Sequence, residues 1–371
     1  EREVAQLLKY ADEIIDQLRA LDSNTDSLDM GRLKLHEFNI PQIINMINAI
    51  PEQVRILDLG SYGSNQLYKK SNSELDQIFS ALSHKNLDNL IMQHTGFICG
   101  KGRPDSMEEK ASLIALWPKT LKIYDLSYQD LHRQTPQEFG LLFAVKPPQA
   151  TTLNLGSNGF HLVPAKKTKE IMELIPPNFN ALTFNLETST DQFRQNYPAL
   201  EFKQVLMSIP SGVTTLDLDL AQIHRLSTDY LNQLEGALPA ITTLCLCGPE
   251  IVQMSTAQLD ALTKMVPNAQ EIIVKDYSGN MVTSEKIQYL QSNVEEKARQ
   301  VVVKTSFALS QLEKGVPNES GKQTRRHLPE GVLQHTSEFF HRGDAISKGI
   351  KALRGHDNDV KKSDTDSPEM K

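Results

Sequence analysis

Two cysteines, Cys245 and Cys247, stand two residues apart in the segment ITTLCLC. Side chains alternate along an extended strand, so both thiols would project from one face, as a metal site or a redox couple requires. Their α-carbons would lie about 6.6 Å apart with parallel side chains, near the limit for a disulfide. Zinc would demand two further ligands that the neighbouring strands do not supply. The expectation is two exposed free thiols, with no metal and no cofactor. The third cysteine opens Cys99-Gly100-Lys101-Gly102-Arg103, a glycine-rich run without the G-x-x-x-x-G-K-[ST] frame that cradles phosphate. Arg342-Gly343-Asp344 and the sequon Asn318-Glu319-Ser320 are three-residue matches of a kind that recurs by chance.

Composition narrows the chemistry further. The 371 residues carry 39 Lys and Arg against 46 Asp and Glu, a net charge of -7. Nothing chain-wide draws such a protein to a phosphate backbone, so nucleic acid is not an expected partner. An apolar content of 39% is enough for a core. Three cysteines in a chain of this length fit a reducing compartment better than a disulfide framework. The longest apolar runs, such as Leu141 to Val145, are too short to cross a bilayer. The chain begins at Glu1 rather than Met, which leaves room for an N-terminal signal already removed.

What positions these groups is a repeat. VTTLDL, Val213 to Leu218, recurs as ITTLCL from Ile241, ATTLNL from Ala150 and VRILDL from Val54, with weaker copies from Leu87, Leu121, Phe179 and Ala269. The fourth residues are Leu57, Leu90, Tyr124, Leu153, Leu182, Leu216, Leu244 and Ile272, at steps of 33, 34, 29, 29, 34, 28 and 28. RLKLHEF, Arg32 to Phe38, reads as a truncated first copy. Before most copies an amphipathic stretch ends in an apolar residue and proline, as at Ile50-Pro51, Trp117-Pro118 and Ile209-Pro210. Proline cannot continue a helix, so it stops one and delivers the chain to a strand in fixed register. Apolar spacings of three and four, as at Leu75, Ile78, Phe79 and Leu82, mark the helices, with Ser227 and Ser255 in N-cap positions. One strand-helix unit cannot bury its own apolar stripe, whereas stacked units share a core, so the expected class is an α/β solenoid.

The spacing Val213, Leu216, Leu218 and the string L-N-L-G-S-N-G-F at Leu153 to Phe160 resemble the leucine-rich repeat. A period of 28 to 29 with a full helix is similar to the ribonuclease-inhibitor-like class of that family. The resemblance implies a horseshoe with parallel concave strands, convex helices and helical caps. Asn158 alone fills the family's ladder-asparagine slot; Tyr62, Thr95, Gln129, Glu187, Ala221, Pro249 and Tyr277 stand in the other copies. The stretch from Ile209 to Leu246, in which apolar-Pro, a V/I-T-T-L-x-L strand and a Ser-capped helix follow one another, resembles leucine-rich-repeat effectors of Legionella-type bacteria. That implies type IV export into the host cell cytoplasm; otherwise the chain reads as cytoplasmic. Bacterial leucine-rich-repeat ubiquitin ligases carry a Cys-x-Asp nucleophile, and here Lys101, Cys247 and Pro249 follow Cys99, Cys245 and Cys247 at that distance.

The solenoid is expected over residues 31–282, as about eight to nine repeats. Residues 1–30 carry Val4, Leu7, Leu8, Ala11, Ile14, Ile15, Leu18 and Leu21 at helical spacing and are expected to cap it, in a monomer; a dimeric coiled coil is the rival use. Residues 283–312 read as a C-terminal capping helix. Residues 313–371 read as a linker, an amphipathic helix with Phe339, Ile346, Ile350 and Leu353 opposite Arg342, Lys348, Lys351 and Arg354, and a disordered tail from His356. Such a helix can fold back, fill a partner's groove or contact a membrane.

Alternation places Asp58, Ile91, Asp125, Asn154, Thr183, Asp217, Asp219, Cys245, Glu271 and Ile273 on the concave face, beside Cys247 and Lys275. These are the candidate partner-binding residues. None of the ten histidines is among them, and isolated carboxylates lack a tuned proton carrier, so no catalytic residue is assigned. Five acids against one lysine point to a partner protein with a basic patch, host-derived under the effector resemblance. The expected function is non-enzymatic protein-protein interaction through the concave face. A membrane-tethered adaptor using the tail helix is the alternative, and an enzyme of unrecognised type the lesser one.

Overall fold

A computed structural model describes residues 2–60, 65–95, 97–98, 106–187, 191–221, 223–276 and 280–297. The chain divides into two units, Glu1–Glu295 and Glu296–Lys371, and the strand-helix array lies in the first. The expected linker, tail helix and disordered tail fall outside the described residues, as do the motifs at 99–103, 318–320 and 342–344.

The described residues contain nine strands: β1 Ser27–Asp29, β2 Ile56–Asp58, β3 Asn89–Ile91, β4 Ile123–Asp125, β5 Thr152–Asn154, β6 Ala181–Glu187, β7 Thr215–Ala221, β8 Thr243–Cys247 and β9 Glu271–Lys275. They pair in chain order and in parallel, β1 to β3 in one sheet and β4 to β9 in another. Strict chain order is what a short helical return dictates, because each unit is laid beside the previous one. The marker residues fall in register, Leu28 with Leu57 and Leu90, then Tyr124 with Leu153, Leu182, Leu216, Leu244 and Ile272. From Leu57 onward each marker is at most 1% exposed, forming the spine of one continuous core.

The first repeat differs from the expectation. Its strand is Ser27–Asp29, and RLKLHEF carries instead the 3₁₀ turn Leu35–Glu37 that follows it. The apolar spacing there serves that turn, which sends Leu35 and Phe38 into the core.

The helices are α1 Arg2–Arg19, α2 Ile40–Ala49, α3 Asn72–Leu82, α4 Met107–Ile114, α5 Pro136–Ala144, α6 Ala165–Glu173, α7 Asp191–Asn196, α8 Ala199–Met207, α9 Thr228–Gln233 and α10 Thr256–Met265, with another over residues 285–297. Local sequence fixes both ends. Asn39, Ser71, Ser106, Thr135 and Ser255 each form a capping box with the Glu or Gln three residues on, and Ser227 caps α9 through the Tyr230 amide. After the helix, Pro51, Pro118, Pro147 and Pro210 accept a hydrogen bond from the buried Val54, Leu121, Ala150 and Val213, one turn before the strand. The proline thereby sets strand register as well as helix length. No helix among the described residues is long and apolar enough to cross a membrane.

Buried side chains stitch the repeats together. Asn158, fully buried, donates through Nδ2 to the Leu126 and Leu155 carbonyls at 2.9 and 3.0 Å and accepts from the Gln129 and Leu131 amides at 2.9 and 3.3 Å. Asn65 repeats this rung, donating to the Met30 and Leu59 carbonyls and accepting from the Leu35 amide at 3.0 Å. The expectation of a single ladder asparagine is therefore corrected. Asn158 follows its marker Leu153 by five positions, but Asn65 follows Leu57 by eight, so a fixed offset passes over it. Between these rungs, Thr95 and Gln129 donate to the Met92 carbonyl at 2.8 and 2.7 Å.

A second set of ties runs from the helix side of one unit to the backbone of the unit before. Lys70, Lys167, Asn196, Tyr230, Gln258 and Lys286 donate to the carbonyls of Phe38, His132, His161, Tyr197, Leu226 and Met254, all at 2.7 to 3.0 Å. Amine, amide and phenol serve alike because the acceptor is backbone, which leaves no fixed residue type in the sequence.

Candidate functional site

The candidate residues occupy one face of the two sheets. Asp29, Asp58 and Ile91 form a row across β1 to β3, and Asp125, Asn154, Thr183, Asp217, Cys245 and Ile273 form its counterpart across β4 to β9. Adjacent members sit about 4.8 Å apart, the strand spacing. Glu271 is exposed in the preceding row, opposite Thr243. Asp219 pairs with Asn185 in the backbone; its side chain is outside the described residues.

Several of these polar groups also shape the strand ends. Oδ1 of Asp29, Asp58, Asp125 and Asn154 accepts the amide two residues on, from Gly31, Gly60, Ser127 and Gly156, at 2.7 to 3.0 Å. Short acceptor side chains at these points turn the chain out of the strand. Asp125 is the extreme case, 5% exposed, and also accepts from the Ser127 hydroxyl. Burial raises its carboxyl above the usual range; hydrogen bonds from Ser127 and Asn154 oppose this, and the Asp58 charge adds to it. A raised native pKa means the native state holds the proton longer, so this group costs stability as pH rises through that pKa. Asn154 closes the same turn without a charge. Asp125→Asn is accordingly expected to raise the thermal midpoint at neutral pH, with the gain vanishing in acid. A lower midpoint at neutral pH would contradict this.

The cysteine pair departs from expectation. Cys245 is buried, 7% exposed, and Cys247 is half-buried, its sulfur 3.6 Å from the Asp276 carbonyl. Two exposed thiols were expected because alternation fixes direction, but side chains on neighbouring strands decide depth. Burial pushes the Cys245 thiol up; Lys275 opposes the shift and Asp217 and Glu271 reinforce it. A protonated, covered thiol is a poor nucleophile. In the native chain iodoacetamide is expected to alkylate Cys247 severalfold faster than Cys245, read by mass spectrometry. Equal rates would place Cys245 at the surface.

The face has two chemically distinct halves. Strands β5 to β8 present mainly Thr152, Asn154, Thr183, Thr215, Thr243 and the acids near them. Strands β2 to β4 present Ile56, Ile91 and Ile123 with Asn89 and the acids. The Asp88 carbonyl accepts from Lys122 and Ile123 just as the Arg55 carbonyl accepts from Asp88 and Asn89, which aligns Ile123 with Asn89 across the sheet break. Ile56, Asn89 and Ile123 lie one pleat before the residues chosen from the sequence, and alternation was the available signal. For Asp29 the signal was S-L-D-M-G beside I-L-D-L-G. Beyond the strands, His94 and Tyr128 rest against each other with ring centroids 4.3 Å apart and planes tilted by 49°, both with left-handed backbone at φ 55 and 56. For Tyr128 nothing in residue type announces that conformation, which disfavours bulky side chains.

The solved structure of the leucine-rich repeat-containing protein LegL7 from Legionella pneumophila matches this arrangement with a TM-score of 0.60 and 26% identity, over 77% of this chain and 95% of that one. The chain has a leucine-rich-repeat fold. No protein-family model matches it, and neither does any curated protein. In this leucine-rich-repeat solenoid the inward leucines and the asparagine rungs fix the strands, and the strands set the row of outward side chains. Among the described residues no group of three or more His, Cys, Asp and Glu is placed to hold a metal.

Proposed function

We propose that the solenoid is a non-enzymatic interaction module that binds a partner protein through the open face of its sheets. The observation that carries this reading is the in-register row on that face, in which Asp58, Ile91, Asn154, Thr183, Asp217 and Ile273 all keep solvent contact. Asp219, Cys245, Asp125 and Glu271 complete the proposed contact set. The excess of acids over Lys275 favours a partner with a basic patch. The likeness to a Legionella leucine-rich-repeat protein supports an effector exported into the host cell cytoplasm, acting there as a monomer on a host protein. Within the chain, α1 and the helix from residue 285 are proposed as caps of the array, and 313–371 as linker and tail.

Two measurements test the parts separately. A fusion of the full chain to a calmodulin-dependent adenylate cyclase, expressed in Legionella, should raise cyclic AMP in host cells only when type IV secretion is intact. A signal independent of secretion, or none at all, would remove the effector part. For any host protein then found bound, Asp217→Lys/Glu271→Lys should weaken affinity by about tenfold or more, most at low salt. Glu170→Lys/Glu173→Lys on α6 should leave it unchanged. Equal affinities for the two variants would move the interface off the sheet face.

A further inference from the structure

We propose that the partner is anchored at β2 to β4 by an apolar side chain flanked by lysine or arginine. This rests on the sheet face being the interaction surface and locates the contact within it. Ile56, Ile91 and Ile123 are half-buried and point outward from three successive strands. Ile56 and Ile123 flank Asn89 in one row, while Asp58 and Asp125 flank Ile91 in the next. An apolar triangle thus lies against the half-buried Asp58 and the buried Asp125, with the exposed Asp29 one strand further on.

Among the described residues, the charged strand positions that share the outward rows with this triangle are all acidic. No Lys or Arg occupies an outward strand position on β1 to β4. The cations at the strand entries are engaged elsewhere, Arg55 with the Asn86 carbonyl and Lys122 with Asp88 at 2.9 Å. Three residues past Ile91 and Asp125, the rings of His94 and Tyr128 lie in contact at a 49° tilt and add aromatic surface, with Tyr128 42% exposed. Apolar and aromatic groups at a centre, ringed by charge, are the usual make-up of a binding hot spot. Excluding water with an apolar anchor also strengthens each neighbouring ion pair. The rest of the face lacks this combination, since Ile273 has no second isoleucine beside it on β8 or β9 in the outward rows.

The test uses the full chain labelled at isoleucine δ1-methyl groups and the blocked peptide Gly-Arg-Leu-Arg-Gly, with Gly-Glu-Leu-Glu-Gly and Gly-Arg-Gly-Arg-Gly as controls. The methyl signals of Ile56, Ile91 and Ile123 should shift saturably with the first peptide, while buried Ile43 and Ile78 stay fixed. Both controls should bind about tenfold more weakly or less. Ile91→Lys should abolish the shifts with the core methyl pattern unchanged, which separates lost binding from lost folding. An unmoved triad at the highest peptide concentration overturns the proposal, and equal response to the glutamate peptide overturns its charge component. Shifts at Ile273 alone would end the β2 to β4 placement and leave the sheet-face reading standing. Shifts confined to methyls off the face, such as Ile40 on α2, would remove both.

Discussion

Asn158→Ala is expected to destabilise the array by about 3 kcal/mol or more, because a buried group left without its partner costs about 1–3 kcal/mol and this side chain serves four. The Gln129 and Leu131 amides and the Leu126 and Leu155 carbonyls would all lose it at a site with no solvent access. Asn65→Ala should behave alike, since it serves the Leu35 amide and the Met30 and Leu59 carbonyls from an equally buried position. Urea unfolding at constant m-value is the check. A loss below about 1 kcal/mol for either variant would mean that water or relaxed backbone supplies the missing bonds, and the rungs would then be incidental.

Leu216→Ala is expected to cost about 2–5 kcal/mol, the range for a buried leucine whose cavity cannot collapse. Leu216 is fully buried on β7, held between Leu182 of β6 and Leu244 of β8, so the layers above and below keep the space open. Neighbouring units share this core, so the loss should appear as a shift of one cooperative transition rather than a separate early one. A cost under about 1 kcal/mol would show that the marker leucine is not the spine of the core.

Much of this architecture was legible because covalent periodicity imposes it. Inward residues must recur once per unit, and proline after most helices fixes where the next strand starts, so Leu57 through Ile272 were readable from spacing alone. Capping residues such as Ser255 were readable because their chemistry is local. Groups whose role depends on another unit were harder. Asn65 reaches across to Met30 and Leu35, and three extra residues before it hide the correspondence with Asn158. The ties from Lys70 to Phe38 and Lys286 to Met254 carry no motif, since only the backbone acceptor recurs.

The candidate face shows the same division. Alternation placed Asp58, Ile91 and Ile273 outward, and the structure puts them in register. It could not report that Asp125 would be 5% exposed or Cys245 7%, because depth depends on neighbouring strands. The turn-forming role of the acids had a local trace: Asp58, Asp125 and Asn154 are each followed two residues later by Gly or Ser, the pairing that favours such a turn. The apolar triangle had no trace in any single repeat, since its three isoleucines come from three.

We propose that the sheet face, and not the helical side, holds the partner. Immobilised native chain, Ile91→Lys/Asp217→Lys and Glu170→Lys/Glu173→Lys can be exposed to one eukaryotic lysate and the bound proteins quantified by mass spectrometry. Partner proteins should be retained alike by the native chain and the helix-side variant and reduced about tenfold or more on the sheet-face variant. Retention of those proteins by both variants, or their loss from the helix-side variant alone, would contradict it.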